Sequence, residues 1–407
     1  MAKNTQSVAE KLAKLDKMTS SINAKHGRTV VGRVSANPEL REQLTIEFIE
    51  TPSVELNDAI GGGYPRRRVT IVSGVESAGK TGNLLETIAL NQKKDPAFVA
   101  LWCESEDSLD IEFMNMLGVD LDRFVIVMHD KDRGAEVVLD ELIAMLEADP
   151  DLFDFVVINS LKALVPKKEF ENSLTQDTVA LQARLNAKLM RKLGPLVAAS
   201  NAALVLVNHL TTNIGQMHGD PMTQGGGRAI RYWATVILDF RKLSIQATDP
   251  ITSDEGMKVA AYVRKNRCVF NRNPYVKTEF YVVFGEGTEQ ILGTLDQAIQ
   301  KEILNKAGAW IREIDPATGD PKVLQDGTIL KWQGKVAFKE FCKANPEYFE
   351  QLKFRCGGGV IESLSEEEIA ALKAEEEADA LACKDLVEVV EAMETVDTSK
   401  KSKKKNK

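Results

Sequence analysis

From about residue 45 to 290 the chain alternates short apolar runs with stretches of helical period. The runs are RVTIVSG (68–74), AFVALWCE (97–104), FVIVMH (124–129), FVVIN (155–159), ALVLVNH (203–209), ATVILDF (234–240), VAAYVRKN (259–266) and EFYVVFG (279–285). The earlier runs are continuously apolar with helices between them, which predicts a parallel sheet covered on both faces. The last runs lie closer together and predict an antiparallel edge. Before them, Val8, Leu12, Leu15 and Ile22 recur at helical spacing, so 6–25 reads as an amphipathic helix. A Gly/Pro-punctuated linker follows. That helix must bury its apolar face by folding back or by docking on another subunit.

The pattern divides the chain into 1–44 (helix and linker), 45–290 (α/β core), 291–362 (a small domain) and 363–407 (tail). The small domain reads as helix, Gly/Asp/Pro-rich turn region, helix. In the tail, Ser365 to Glu368 form a capping box opening an Ala/Glu-rich helix, and SKKSKKKNK closes the chain as a basic disordered segment.

Composition changes this picture little. The chain of 407 residues is 43% hydrophobic and 28% charged, as in ordinary soluble globular proteins. No apolar run approaches the ~20 residues of a membrane span. Five cysteines without CxxC spacing point to reduced thiols and a cytoplasmic setting. Four scattered histidines argue against a histidine metal site. The net charge of −8 taken alone disfavours a polyanion partner. Much of the acid is concentrated in 362–397, however, and the local field governs such binding.

The strongest chemical signal is GVESAGKT, Gly74, Val75, Glu76, Ser77, Ala78, Gly79, Lys80 and Thr81, followed by Gly82. It fits G-x4-G-K-[ST] between a strand and a helix, as the phosphate loop requires. Its backbone N–H groups would curl around phosphate oxygens. Lys80 would neutralise the β- and γ-phosphates, and the Thr81 hydroxyl would bind magnesium. Hydrolysis also needs a group that orients or deprotonates water. Glu104 and Glu106 both follow the strand 97–103 at a carboxyl end, and the spacing alone leaves the choice open.

Together with ESEDSLD (104–110), QARLNAKLMRKLG (182–194), IGQMHGDPMTQGGGRAIRYWATVILDFRK (214–242), VRKNR (263–267), FGEG (284–287) and KAGAW (306–310), the phosphate loop resembles the bacterial RecA recombinases from about residue 5 to 350. The resemblance implies a RecA-like P-loop ATPase core with a mostly parallel sheet, an N-terminal oligomerisation helix and a small α+β C-terminal domain. It implies that Glu106 is the catalytic carboxylate, that Asp110 and Phe113 bind adenine, and that Lys265 and Arg267 reach the ATP of a neighbouring subunit. Tyr232 would transmit nucleotide state across the interface. For DNA it implies Arg184, Arg191, Gly226, Gly227 and Arg228 at the backbone and Ile214 as a wedge between bases. Read alone, Arg184 and Arg191 also fit a solvated helix face, Ile214 fits loop packing, and TQGGGRA fits a flexible turn.

The chain departs from the family at four places. Asn159 stands where the resemblance implies an aspartate near magnesium. Its amide oxygen can accept from a metal-bound water but brings no charge, so slower turnover is expected, with a response to Asn159→Asp. His209 stands at the position of a glutamine that senses the γ-phosphate, and the expectation is that it takes that role. Thr211 and Asn213 replace basic residues and His218 an aromatic one, which shifts DNA affinity toward Arg228 and Arg231. The acidic helix and basic tail after 362 are expected to compete with DNA. Such divergence is what a bacteriophage-encoded recombinase would carry.

The expected function is therefore an ATP- and magnesium-dependent recombinase. It would form filaments on single-stranded DNA, pair that strand with homologous duplex DNA and exchange strands. The expected partners are DNA, further copies of the chain, and single-strand-binding and loader proteins, in a bacterial or infected host cytoplasm and not at a membrane. Two alternatives stand beside it: a ring-forming helicase-like motor on the same core, and an ATP-switched DNA-binding protein with weak hydrolysis.

Overall fold

The computed structural model describes residues 7–27, 29–129, 133–171, 181–212, 222–224, 227–246, 249–269, 273–314, 321–322, 330–356 and 362–363. Asn213, Ile214, His218 and Gly226 lie outside the described residues, as do the side chains of Thr211 and Arg228 and the tail from 364. The chain forms two compact units, 1–47 and 48–407.

In the first unit, α1 (Val8–His26) opens on a capping box between Ser7 and Glu10 and ends at Gly27, where φ is 63°. The following segment runs back along it. Asn23 accepts from the Val30 and Val31 N–H groups and donates to the Val31 carbonyl. Arg33 makes a two-pronged ion pair with Asp16, both contacts at 2.8 Å. A short α2 (Pro38–Leu44) begins on a proline, whose missing N–H costs nothing at a helix start. Val8, Leu12, Leu15, Met18 and Ile22 remain exposed.

The second unit begins with a two-stranded pair, β1 (Phe48–Ile49) and β2 (Tyr64–Pro65), which flank α3 (Val54–Ile60) in the chain. Then come β3 (Val69–Gly74), α4 (Lys80–Lys94), β4 (Ala100–Glu104), α5 (Ile111–Met116), β5 (Phe124–Met128), α6 (Ala135–Ala148) and β6 (Phe155–Asn159). They are followed by α7 (Lys167–Glu171), α8 (Leu181–Ala199), β7 (Ala203–Thr212), β8 (Met222–Gln224), α9 (Arg228–Trp233), β9 (Val236–Leu243), β10 (Gly256–Asn266), β11 (Val276–Val283) and β12 (Gly287–Thr288).

The main sheet runs β12-β11-β10-β9-β3-β7-β6-β4-β5. It is parallel from β9 through β5 and antiparallel from β9 to β12, as the spacing of the runs predicts. The continuous apolar runs have a direct cause. Along β7, Ala203, Val205 and Val207 face one core while Leu204 and Leu206 face the other, so successive residues serve opposite faces. Both cores are buried and apolar, with Trp102, Phe155 and Phe240 in one and Ile71, Leu142 and Leu193 in the other. The parallel register brings Gly74 beside His209 and Glu104 beside Asn159 at the carboxyl ends of four strands. Ligands of such sheets bind there.

A third cluster closes the unit. Here α10 (Gln290–Gln300), capped by Glu289, is followed by β13 (Leu304–Ala307), β14 (Trp310–Glu313) and β15 (Lys331–Gln333), then α11 (Gly334–Ala344) and α12 (Pro346–Cys356). Leu292, Leu295, Ile311, Trp332, Phe338 and Leu352 form its interior. The region read from sequence as turns between helices thus carries a three-stranded antiparallel sheet, the β part of the small α+β region.

Candidate active site

The phosphate loop leaves β3 at Gly74 and enters α4 at Lys80. Two residues in it adopt positive φ, Ser77 at 57° and Gly79 at 82°. A Cβ at Gly79 would also sit 3.0 Å from the Met257 methyl. No side chain caps the N-terminus of α4. Its first N–H groups are therefore available to an anion, and the helix dipole favours negative charge there. Lys80 is 7% exposed and donates to the carbonyls of Val75 (2.8 Å) and Gly74 (3.2 Å). Burial lowers the pKa of its ammonium group, against the opposing influence of Glu106 and Glu76.

A cleft of about 760 Å³ opens over this loop. Its wall includes Glu76, Ser77, Ala78, Gly79, Lys80, Thr81, Gly82, Glu106, Phe113 and His209. Phe113 and Phe284 are both on the wall and substantially exposed, which suits stacking on a planar base. Gly74, Val75 and Asp110 do not line it, and Asp110, exposed, caps α5 by accepting from the Phe113 N–H at 2.8 Å.

Burial separates the two candidate carboxylates. Glu106 lies on the cleft wall, and its Oε1 meets His209 Nε2 at 2.5 Å and accepts from the Ser160 hydroxyl. Because the carboxylate can only accept, the His209 ring donates from Nε2. Glu104 is 1% exposed. Its Oε2 accepts from Trp102 Nε1 (2.8 Å) and Asn159 Nδ2 (3.1 Å), and its Oε1 accepts from the Glu106 N–H (2.7 Å). Asn159 is fully buried and also donates from Nδ2 to Ser108 Oγ at 3.0 Å. Its Oδ1 is buried with no partner among the described residues.

Among the described residues no group of three or more His, Cys, Asp or Glu converges as a metal site. A magnesium ion carried by its nucleotide needs only one or two protein ligands. Thr81, at the head of α4 and on the cleft wall, can supply one, whereas Asn159 is fully buried and does not line the cleft.

The remaining sequence candidates fall elsewhere in the second unit. Lys265 is buried and donates to the Arg231 carbonyl at 3.0 Å, Arg267 is exposed just past β10, and neither lines the cleft. Tyr232 is half exposed at the end of α9, edge-on to Trp233. Arg184 and Arg191 are exposed on α8 with Lys188 between them, at helical spacings that put all three on one face. The turn into α9 packs against the start of this helix. A Cβ at Gly227 would sit 2.9 Å from Ala183 Cβ, and one at Gly194 would sit 2.7 Å from the Trp233 ring.

Sequence reasoning missed Lys188, Ser160, Ser108 and the role of Glu104. The i, i+4 spacing from Arg184 could have revealed Lys188. The other three depend on β4 lying beside β6, which no local pattern encodes.

A phosphate loop at the carboxyl edge of a mixed sheet, with a carboxylate held above it, defines a P-loop α/β nucleotide-binding protein. The model of the RecA N-terminal domain matches residues 13–289. The chain is 32% identical to Protein RecA of Aquifex pyrophilus over 356 residues, covering 87% of this chain and 93% of that protein. It is also 32% identical to Protein RecA of Thermus aquaticus, covering 83% and 92%, and of Clostridioides difficile, covering 84% and 95%. The chain belongs to the RecA family. No helix among the described residues is long and apolar enough to cross a membrane.

Proposed function

We propose that the chain is an ATP-dependent DNA recombinase that assembles on single-stranded DNA, pairs it with homologous duplex and exchanges strands. The observation that carries this reading is the 2.5 Å contact between Glu106 and His209. It joins the hydrolytic carboxylate to β7, the strand that leads toward Ile214, Gly226, Gly227 and Arg228, where the resemblance puts DNA contacts. Nucleotide state and DNA contact would then share one strand.

Lys80 exchanges its two carbonyl partners for phosphate oxygens. The Thr81 hydroxyl would hold a magnesium ion, which when bound would neutralise phosphate charge. Glu106 takes the proton of the attacking water at Oε2, because Oε1 is already engaged by Ser160 and His209. His209 moves from Glu106 to the γ-phosphate and pulls on β7. Phe113 stacks on the adenine. Arg184, Lys188 and Arg191 neutralise DNA phosphates, which makes binding steeply salt-dependent and weakly selective for sequence. The exposed apolar stripe of α1 supports docking on a second copy.

The test is phosphate release by the purified chain with and without single-stranded DNA, alongside electron microscopy with ATP. DNA-stimulated release and helical filaments are expected. Rings would favour a helicase-like motor. Release that DNA does not change would contradict the proposal.

A further inference from the structure

The geometry points to Glu104 as the positioning residue for Glu106, with Asn159 required as a neutral hydrogen-bond donor rather than as a weakened metal ligand. This inference rests on the reading of Glu106 as the hydrolytic carboxylate.

Glu104 ends β4 and Asn159 ends β6, side by side in register. The Glu104 carboxylate is out of water and is held from both strands, by Trp102 Nε1 on its own and Asn159 Nδ2 on the other. Its second oxygen grips the next turn of chain. The Glu106 N–H reaches it at 2.7 Å, and the Ser108 N–H and hydroxyl approach at 3.4 Å. Glu106 therefore hangs from a buried anchor two residues away. The same loop is stitched to β6 by the Ser105 N–H, which donates to the Asn159 carbonyl at 2.8 Å, and by the Ser160 N–H, which donates to Ser105 Oγ at 2.9 Å.

In this setting the amide of Asn159 is demanded by its neighbour. An aspartate there would bring a second carboxylate to about the 3.1 Å contact that Nδ2 now makes with Glu104. Two carboxylates that close cannot both keep their charge without a large penalty. The pair would separate or take up a proton, and the Glu106 loop would shift. A reacting group displaced by ~1 Å can cost on the order of 100-fold in rate. Asn159→Asp, which restores the residue implied by the family, should therefore slow this protein.

The test compares wild type, Asn159→Asp, Glu106→Gln and the exchanged pair Glu104→Gln/Asn159→Asp. Two readouts are used: DNA-stimulated phosphate release and thermal melting without nucleotide. Asn159→Asp should lower kcat about 10-fold or more while KM for MgATP stays within about 2-fold, because the loop and not the phosphate cradle is disturbed. Its melting temperature should fall. The exchanged pair restores one donor and one acceptor across the strands, so it should recover most of the melting temperature and part of kcat. The recovery is partial because the new amide faces the Trp102 N–H.

Asn159→Asp with wild-type or higher kcat would overturn the inference. If that variant does not fold, the same comparison is read on folding: recovery in the exchanged pair supports the inference and its absence overturns it. Full turnover in Glu106→Gln would instead remove the parent reading, and the inference with it.

Discussion

Glu106 carries partners from two strands on one oxygen, Ser160 just past β6 and His209 on β7. Under the proposed reading Ser160 keeps the carboxylate at the angle that water attack requires once His209 has moved to the γ-phosphate. Ser160→Ala should lower kcat by about 10-fold with KM for MgATP nearly unchanged, because a base needs its orientation more than its substrate does. Steady-state phosphate release on single-stranded DNA checks this, and an unaltered kcat would contradict it. At this scale the sequence was legible where chemistry is local. The phosphate loop carries its own meaning in eight consecutive residues. Spacing left Glu104 and Glu106 open and the resemblance implied Glu106; the burial that separates the two comes only from the packing of β4 against β6.

At the scale of elements, α3 meets α10 through Glu55. Its carboxylate accepts from the Ser53 hydroxyl at 2.7 Å and lies so close to Gly293 that a Cβ there would come within 1.8 Å of it. Burial pushes the Glu55 carboxyl up to about 7. The Ser53 hydrogen bond resists, and the charges of Asp296 and Glu289 add to the rise. The nearby cations on α11 are already engaged, Lys335 with Asp296 and Lys339 with Glu289.

The folded state thus keeps a proton that the unfolded chain releases near the ordinary value of 4.5. The contribution is fully present below about pH 4.5 and is lost as pH rises through about 7. Glu55→Gln should leave stability unchanged in acid and raise it by about 1–3 kcal/mol at pH 8. Denaturant melts at the two pH values measure this, and equal effects at both would contradict it.

Elements were legible in proportion to their apolar content. FVVIN reads as a strand because both of its faces are buried. LNKA, WIRE and KWQ do not, because each buries only one or two side chains while the rest face solvent. The small C-terminal sheet accordingly went unread as strands.

For the whole molecule, the net charge of −8 hides a segregation. The acid of 364–397 lies outside the described residues, while Arg184, Lys188 and Arg191 share one helix face. The exposed stripe of α1, Val8, Leu12, Leu15, Met18 and Ile22, is the surface that the proposed reading uses for assembly with further copies of the chain. Assembly, nucleotide turnover and DNA pairing come together in a single assay. Purified protein is mixed with circular single-stranded DNA, homologous linear duplex and ATP, and joint molecules are followed over time beside Lys80→Ala. Joint molecules and exchanged duplex from the wild type, and none from Lys80→Ala, are the predicted result. Exchange that proceeds equally with Lys80→Ala, or its absence from a wild type that hydrolyses ATP on DNA, would contradict the proposal.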